Sequence, residues 1–454
     1  MKKGKQQFKA GMYLLETLTA GMYNEPLSIY REYIQNCVDS IDLARQAGQD
    51  DFEIRITLDP FEKVVLIHDN GAGIPASHAE RVLSSIGSSD KIGTDQRGFR
   101  GIGRLGGIAF AQRVTFRTKA AGEKKISEQI WDCEKLRQLL SDPAKSPLSL
   151  EEMFQQVTAF NGLNSDVPEN DSFFEVRLDG VESYRNQIFD IMRIKKYLSQ
   201  VAPLPFDPES FDPFGNEITK YLYENVNKYG EYYVTINGTP VYRPYKKEFR
   251  VTNKGINDCI EEIEFVELKV NGKITAKGWL GKRRGFLGSI SKGEGIAGIR
   301  VKVGNIMIGN EHLLDQFFRE ERFNSYTVGE IHIVSSDLVP NSRRDDFVDT
   351  PTKNLFFNAI EREIGLPVSK EIRLRSKLKS LTKIQNKSDF KSGQDSEFAK
   401  IRNGNAECCL ENDSEIKLVT GGKDDRHNLF LKMAHRCREK KCPIYQEMIS
   451  VTNC

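Results

Sequence analysis

Five of the ten residues in Gly98-Phe99-Arg100-Gly101-Ile102-Gly103-Arg104-Leu105-Gly106-Gly107 are glycine, and this run constrains the fold more than any other stretch. Glycines leave backbone N–H groups free to point into a concave site, and a helix start that follows them favours anionic phosphate. Positions 101–106 also satisfy Gly-x-Gly-x-x-Gly. That fingerprint marks a dinucleotide fold only when it directly follows the first strand of a βαβ unit. Here it follows a polar Gly/Ser/Lys stretch, so the dinucleotide reading is set aside. No Gly-x4-Gly-Lys-[Ser/Thr] occurs, which removes the P-loop route to ATP.

Two elements upstream point the same way. Residues 26–47 read as an amphipathic helix. With Glu32 as zero on a wheel of about 100° per residue, Asn36 falls at about 40° and Asp39 at about −20°. Tyr30, Ile34, Cys37 and Ile41 fall on the opposite side, so one face is expected to be buried and the other to present Glu32, Asn36 and Asp39 together. Residues 52–58 and 63–68 have strand character, with Asp59-Pro60 in the turn between them. The second strand ends in Asp69-Asn70-Gly71-Ala72-Gly73-Ile74. A carboxylate there, followed by two glycines, lets the backbone approach a planar ligand, and Asp69 can accept a hydrogen bond from an exocyclic amine such as that of adenine.

Further along, 113–118 and 173–178 read as strands, and 119–170 as polar and mostly helical or looped. Helices beside antiparallel strands, without regular βαβ alternation, indicate an α+β fold. Pro203, Pro205, Pro208 and Pro213 exclude an interior helix or central strand and mark a boundary near 180–215. Strand pairs follow at 232–236 with 240–242 and at 263–270 with 273–279, turned by Asn237-Gly238 and Asn271-Gly272. After about 375 the chain is rich in Lys, Ser, Asn and Gln and reads as a partly ordered tail.

A chain of 454 residues calls for two or three domains. The expected division is 1–180, 181–360 and a basic, polar tail at 361–454. No run of about 18 apolar residues suggests a membrane span, and the basic N-terminus lacks the apolar segment of a signal peptide. The eight cysteines are therefore expected as reduced thiols in a cytoplasmic protein. Cys437-x4-Cys442 with His427 and His435 nearby is not a standard zinc spacing. A net charge of +2 is too balanced to argue for a nucleic-acid or membrane partner by itself.

Taken in order, the three elements resemble the signature boxes of the gyrase, chaperone, histidine-kinase and MutL (GHKL) ATPases. Glu32-x3-Asn36-x2-Asp39 resembles the N-box, Asp69-x-Gly71-x-Gly73 the adenine box, and Gly98 to Gly107 the glycine-rich lid. Gly98 to Lys119 also resembles, without gaps, the corresponding part of the ninety-kilodalton heat-shock chaperones. Ser88, Ser89 and Lys91 resemble a lid-edge motif of the MutL and microrchidia branches. The resemblance implies a Bergerat-type α/β sandwich, with a mixed, largely antiparallel sheet, followed by a transducer-like α+β middle domain.

It also implies ATP and Mg²⁺ as ligands and slow ATP hydrolysis. Asn36 would hold the metal and Glu32 would polarise the attacking water. Asp69 would bind the adenine amine, and Gly101 and Gly103 would line the phosphates. Where the family has a threonine in its last box, this chain has Ser172-Phe173-Phe174, with Ser172 as the candidate substitute. Asp337-Leu338-Val339-Pro340-Asn341-Ser342-Arg343-Arg344-Asp345 resembles the middle-domain loop that supplies an arginine to the γ-phosphate; the matching residues are Asn341, Arg344 and Asp345.

Histidine kinases need a phospho-acceptor histidine ahead of the nucleotide fold, and the first histidine here is His68, inside it. Topoisomerases and MutL proteins carry further domains for which the polar tail leaves no room. Two readings remain. One is a chaperone-like machine in which ATP closes the lid, the N-terminal domains dimerise and Arg344 docks on the γ-phosphate. The other is an ATP-gated nucleic-acid clamp, supported by the basic run Lys370, Arg373, Arg375, Lys377, Lys379, Lys383, Lys387 and Lys391.

Overall fold

The computed structural model describes residues 11–18, 25–87, 101–141, 148–165, 167–252, 257–286 and 288–391, with side chains up to 381. Two compact units divide at Leu366. The helices are α1 (Tyr13–Leu18), α2 (Ser28–Gln46), α3 (Ala76–Ser84), α4 (Cys133–Ser141), α5 (Leu150–Val157), α6 (Arg185–Ile188), α7 (Ile191–Val201), α8 (Phe214–Asn225), α9 (Pro351–Ile360) and α10 (Leu366–Lys391).

The first unit holds two sheets. The larger has eight strands: β1 (Ile54–Asp59), β2 (Val64–Asp69), β3 (Arg113–Lys119), β4 (Lys125–Asp132), β5 (Thr158–Asn164), β6 (Phe173–Asp179), β7 (Val234–Ile236) and β8 (Thr239–Pro240), in the order β5-β4-β3-β6-β2-β1-β7-β8. Only the β1–β7 pair is parallel. Six strands form the second: β9 (Glu248–Arg250), β10 (Asn257–Val270), β11 (Lys273–Arg283), β12 (Gly298–Val303), β13 (Ile306–Ile308) and β14 (Val328–Ile333), in the order β13-β12-β14-β11-β10-β9. Both are mixed and largely antiparallel, the α+β arrangement expected.

Alternation sets the faces. In β1, Ile54, Ile56 and Leu58 point inward, and in β2 so do Val65, Ile67 and Asp69. Period 2 thus drives the Asp69 carboxylate into the core side of the sheet, opposite Ile54. The turn between these strands is closed by Asp59, whose Oδ1 accepts from the N–H groups of Phe61 and Glu62 at 3.0 and 2.9 Å. Both Asn-Gly turns are present, with φ of 46° and 77° at Asn237-Gly238 and 50° and 77° at Asn271-Gly272.

Three differences from the sequence reading have physical causes. The polar stretch 119–170 contains two strands, β4 and β5, beside two helices. All seven residues of β5 are exposed or half-buried, so it carries little apolar alternation. Strand β7 joins β1 rather than the second sheet, so the first sheet draws on residues on both sides of position 180. Residues 366–391 are helical, and Arg375 in this basic run is paired with Glu371 at 2.7 Å. His427, His435, Cys437 and Cys442 lie outside the described residues.

The second core packs Phe206, Phe211, Tyr245 and Trp279. Beside it runs a buried charge network. Glu330, fully buried, is paired with Arg243 at 2.9 Å, Lys302 at 2.7 Å and His332 at 3.0 Å. Arg243 also donates to the Leu204 carbonyl, the Tyr229 hydroxyl and Asn305. Burial pushes the Lys302 ammonium down to about 7 and the His332 imidazole down to about 4, although Glu330 pulls both upward. The network reaches α2 through Glu231 and Tyr232: Arg243 pairs with Glu231 at 3.2 Å, Tyr232 donates to Asp42, and Arg45 lies 4.7 Å over the Tyr232 ring.

Candidate active site

Helix α2 ends where Gly48 adopts φ +82°, a left-handed conformation that suits glycine just past a helix C-terminus. Tyr30, Ile34, Cys37 and Ile41 are buried as the wheel requires. The opposite face is not simply open. Asp39 is buried at 1% exposure, and Glu32 and Asn36 are half-buried. Segments distant in sequence cover the Glu32–Asp39 line, so the face that presents these groups is not plain solvated surface.

The first cover is the glycine segment. Gly101 has φ +67°, and residues 103–109 form a 3₁₀ helix. Gly103 sits directly on the catalytic candidate: a Cβ there would lie 2.5 Å from Glu32 Oε2. The segment hangs on Tyr33, whose hydroxyl accepts from Gly107 N–H at 2.9 Å and donates to the Arg104 carbonyl at 3.1 Å. A Cβ at Gly107 would meet that hydroxyl at 2.3 Å, so only glycine fits. Sequence reading missed Tyr33, because nothing in one helix shows a partner 74 residues away. Ser88, Lys91 and Gly98 lie outside the described residues.

The second cover is the loop after β2. Gly71 packs on α2 so closely that a Cβ would lie 2.5 Å from Ser40 Oγ, and the Ala72 N–H donates to the Ser40 carbonyl at 3.1 Å. Gly73, at φ +63°, would place a Cβ 2.1 Å from the Lys119 carbonyl oxygen. From the sheet side, Thr118 Oγ1 accepts from Ile74 N–H at 2.8 Å and donates to the Phe173 carbonyl at 3.0 Å. Ser172 donates to the Gly71 carbonyl at 2.6 Å, so it braces the loop backbone and has no hydrogen bond to Asp69 itself. Lys119 holds the segment before Ser172 by donating to the carbonyls of Pro168 and Glu169 at 2.9 Å.

Asp69 at the head of this loop is fully buried. Its Oδ1 accepts from Gly71 N–H at 2.9 Å, while Oδ2 is buried without a hydrogen-bond partner. Burial pushes the carboxyl up to about 6, against smaller opposing effects from the Gly71 N–H, Ser40, Cys37 and His68. That rise corresponds to about 3 kcal/mol. An unsatisfied buried carboxylate oxygen is a place for an incoming N–H donor.

The loop carrying Arg344 meets the same site through Arg31. Its guanidinium pairs with Glu32 Oε1 at 3.2 Å and donates to the Arg343 carbonyl at 3.1 Å. Arg344 itself is half-buried with φ +57°. Its N–H donates to the Asn341 carbonyl at 3.2 Å, and its carbonyl accepts from Gly309 N–H at 2.7 Å. Asn341 also binds the Asp345 carboxylate, and Lys353 anchors Asp346 at 2.6 Å.

Asn36 makes no side-chain hydrogen bond among the described residues. Its free amide oxygen fits a hard, oxygen-seeking cation. Among the described residues no group of three His, Cys, Asp or Glu side chains could hold a metal.

The site thus combines an unpartnered buried carboxylate oxygen, two close-packed glycine segments and the Glu32 carboxylate against one of them. Residues 30–161 match the family model described as histidine kinase-, DNA gyrase B-, and HSP90-like ATPase. Among curated relatives, chaperone protein HtpG of Albidiferax ferrireducens is 29% identical over 139 residues, covering 26% of this chain and 21% of the relative. Chaperone protein HtpG of Escherichia coli K12 is 27% identical over 140 residues, covering 26% and 22%. The chain thus matches about a fifth of the length of these relatives. No helix among the described residues is long and apolar enough to cross a membrane.

Proposed function

We propose that this chain is a chaperone-like conformational machine that binds Mg-ATP between α2, the 69–74 loop and the glycine segment, and hydrolyses it slowly. Asp69 accepts the adenine amine through its orphaned Oδ2, with Gly71 and Gly73 letting the backbone lie close to the ring. Asn36 holds Mg²⁺, which neutralises phosphate charge, and Asp39 is the buried end of the same polar line. Backbone N–H groups at Gly101 and Gly103 face the phosphates, with Ser88, Lys91 and Gly98 completing the lid. Glu32 takes a proton from the attacking water.

The observation that carries this reading is a chain of contacts: Gly103 lies against Glu32 Oε2, Glu32 Oε1 pairs with Arg31, and Arg31 donates to the Arg343 carbonyl. In that arrangement Arg31 neutralises Glu32, so the base is competent once the pair loosens. Arg344, adjacent to the Arg343 carbonyl, supplies a cation to the γ-phosphate. Lid closure then brings two N-terminal domains together, and hydrolysis resets the closed state.

The test is steady-state ATP turnover of the wild type beside Arg344→Ala. The variant is expected to bind ATP normally and to turn over on the order of 10²-fold more slowly. Wild-type turnover in the variant removes Arg344 from the mechanism, and a wild type that binds no ATP defeats the reading altogether. Salt-dependent DNA binding that is lost on deleting residues 370–391 would favour a nucleic-acid clamp instead.

A further inference from the structure

One cation in the glycine segment has no role in the scheme above. The main chain of Arg104 is fixed, since its carbonyl accepts from Tyr33 and the preceding Gly103 lies against Glu32. Its side chain is not settled in the same way: Nε and Nη2 are both buried without a hydrogen-bond partner. Burial pushes this guanidinium down to about 10.

Arg104 is half-buried as a residue, and the fully buried arginines among the described residues are different. Arg283 is held by Asp258 at 2.8 and 3.1 Å and by the carbonyls of Gly288 and Tyr326. Arg300 is held by Gln200 and by the carbonyls of Gly295, Ile296 and Gly298. Arg243 is enclosed by Glu330, Tyr229 and Asn305. Among the described residues, Arg104 is the one arginine with two buried nitrogens lacking acceptors.

A desolvated guanidinium with unmet N–H groups is costly to the fold. Its fork matches phosphate oxygens in two-point geometry better than any other side chain. The residue lies one position from the glycine that touches Glu32 and three from Gly101, within the segment read as lining the phosphates. We infer that Arg104 is a phosphate ligand of the bound nucleotide, taking an oxygen that ADP and ATP share. This rests on the ATP-binding reading above. The shared phosphates are assigned because Arg104 is anchored to α2 within the glycine segment, whereas the γ-phosphate cation comes from the separate loop of Arg344.

The experiment is calorimetric titration of the full chain with ATP, ADP and adenosine, for wild type, Arg104→Met and Arg104→Lys. Methionine keeps an unbranched stem without the charge. It is expected to weaken ATP and ADP binding by roughly 10- to 100-fold, with adenosine binding within about twofold of wild type. Lysine, which keeps the charge but not the fork, should recover part of the loss. The nucleotide-free methionine variant should melt no lower than wild type, because an unmet buried charge has been removed.

Wild-type affinity for ATP and ADP in Arg104→Met overturns the assignment alone. So does a parallel loss of adenosine binding, which would report a distorted segment. A wild type that binds neither ATP nor ADP overturns the ATPase reading and this assignment with it.

Discussion

Glu32→Ala is expected to bind ATP about as tightly as wild type and to hydrolyse it on the order of 10³-fold more slowly. The carboxylate lies against Gly103 and is paired with Arg31, at the end of the polar line that meets the glycine segment. In the proposed scheme its removal deletes proton transfer and leaves Asp69, Gly71 and Gly73 in place to hold adenine. It also removes the negative charge beside Arg31, which keeps its bond to the Arg343 carbonyl, so affinity for an anionic nucleotide should hold or rise. Single-turnover hydrolysis with equilibrium binding of a labelled nucleotide checks both halves. Unchanged hydrolysis would remove Glu32 as the base, and a wild type that binds ATP without hydrolysing it would be an ATP-sensing switch. Lost binding would mean that Glu32 supports the pocket rather than the chemistry.

Asp69→Asn should show the second large effect, and with an unusual sign. Its folded pKa of about 6 lies above the unfolded value of about 3.9, so folding favours the protonated carboxyl. The nucleotide-free protein is therefore expected to lose up to about 3 kcal/mol as pH rises from about 4 through about 6. Below about 4 this penalty is absent. Asparagine removes that slope, and with its amide oxygen held by the Gly71 N–H its amide NH2 would face the proposed adenine amine, a donor in place of the acceptor Oδ2.

The variant should be at least as stable as wild type at neutral pH and bind adenosine on the order of 10²-fold more weakly. In wild type, binding selects the ionised carboxylate, so adenosine affinity should be flat above about pH 6 and fall below it. Adenosine is the better probe because no phosphate titrates in that window. Melting curves and adenosine titrations between pH 4.5 and 8 test these signs; a pH-independent wild-type affinity would exclude Asp69 as the adenine acceptor.

The sequence shows the polar line of α2 because helical period alone aligns Glu32, Asn36 and Asp39, and it shows the two Asn-Gly turns because their chemistry is local. Burial of that line was not legible, since its cover comes from Gly71 and Gly103, and close approach is invisible without the fold. The roles of Tyr33, Thr118 and Arg31 are set by partners far along the chain; the Arg31–Arg343 contact spans 312 positions. The loop around Arg344 was singled out by resemblance alone, since a basic turn beside aspartates is ordinary surface. Strands β4 and β5 were hidden by the polar composition of their region.

Arg344 is one of the described non-glycine residues with positive φ, at +57°. A left-handed backbone costs an ordinary L-residue roughly 1–2 kcal/mol, and glycine escapes that cost. The position therefore divides two kinds of laboratory selection. A library sorted for heat resistance should enrich glycine or asparagine at 344, whereas one sorted for turnover should retain arginine. Deep mutational scanning under both regimes would display this as opposite preferences at a single codon, while neighbouring Arg343, which meets Arg31 only through its main-chain carbonyl, should tolerate most side chains in both.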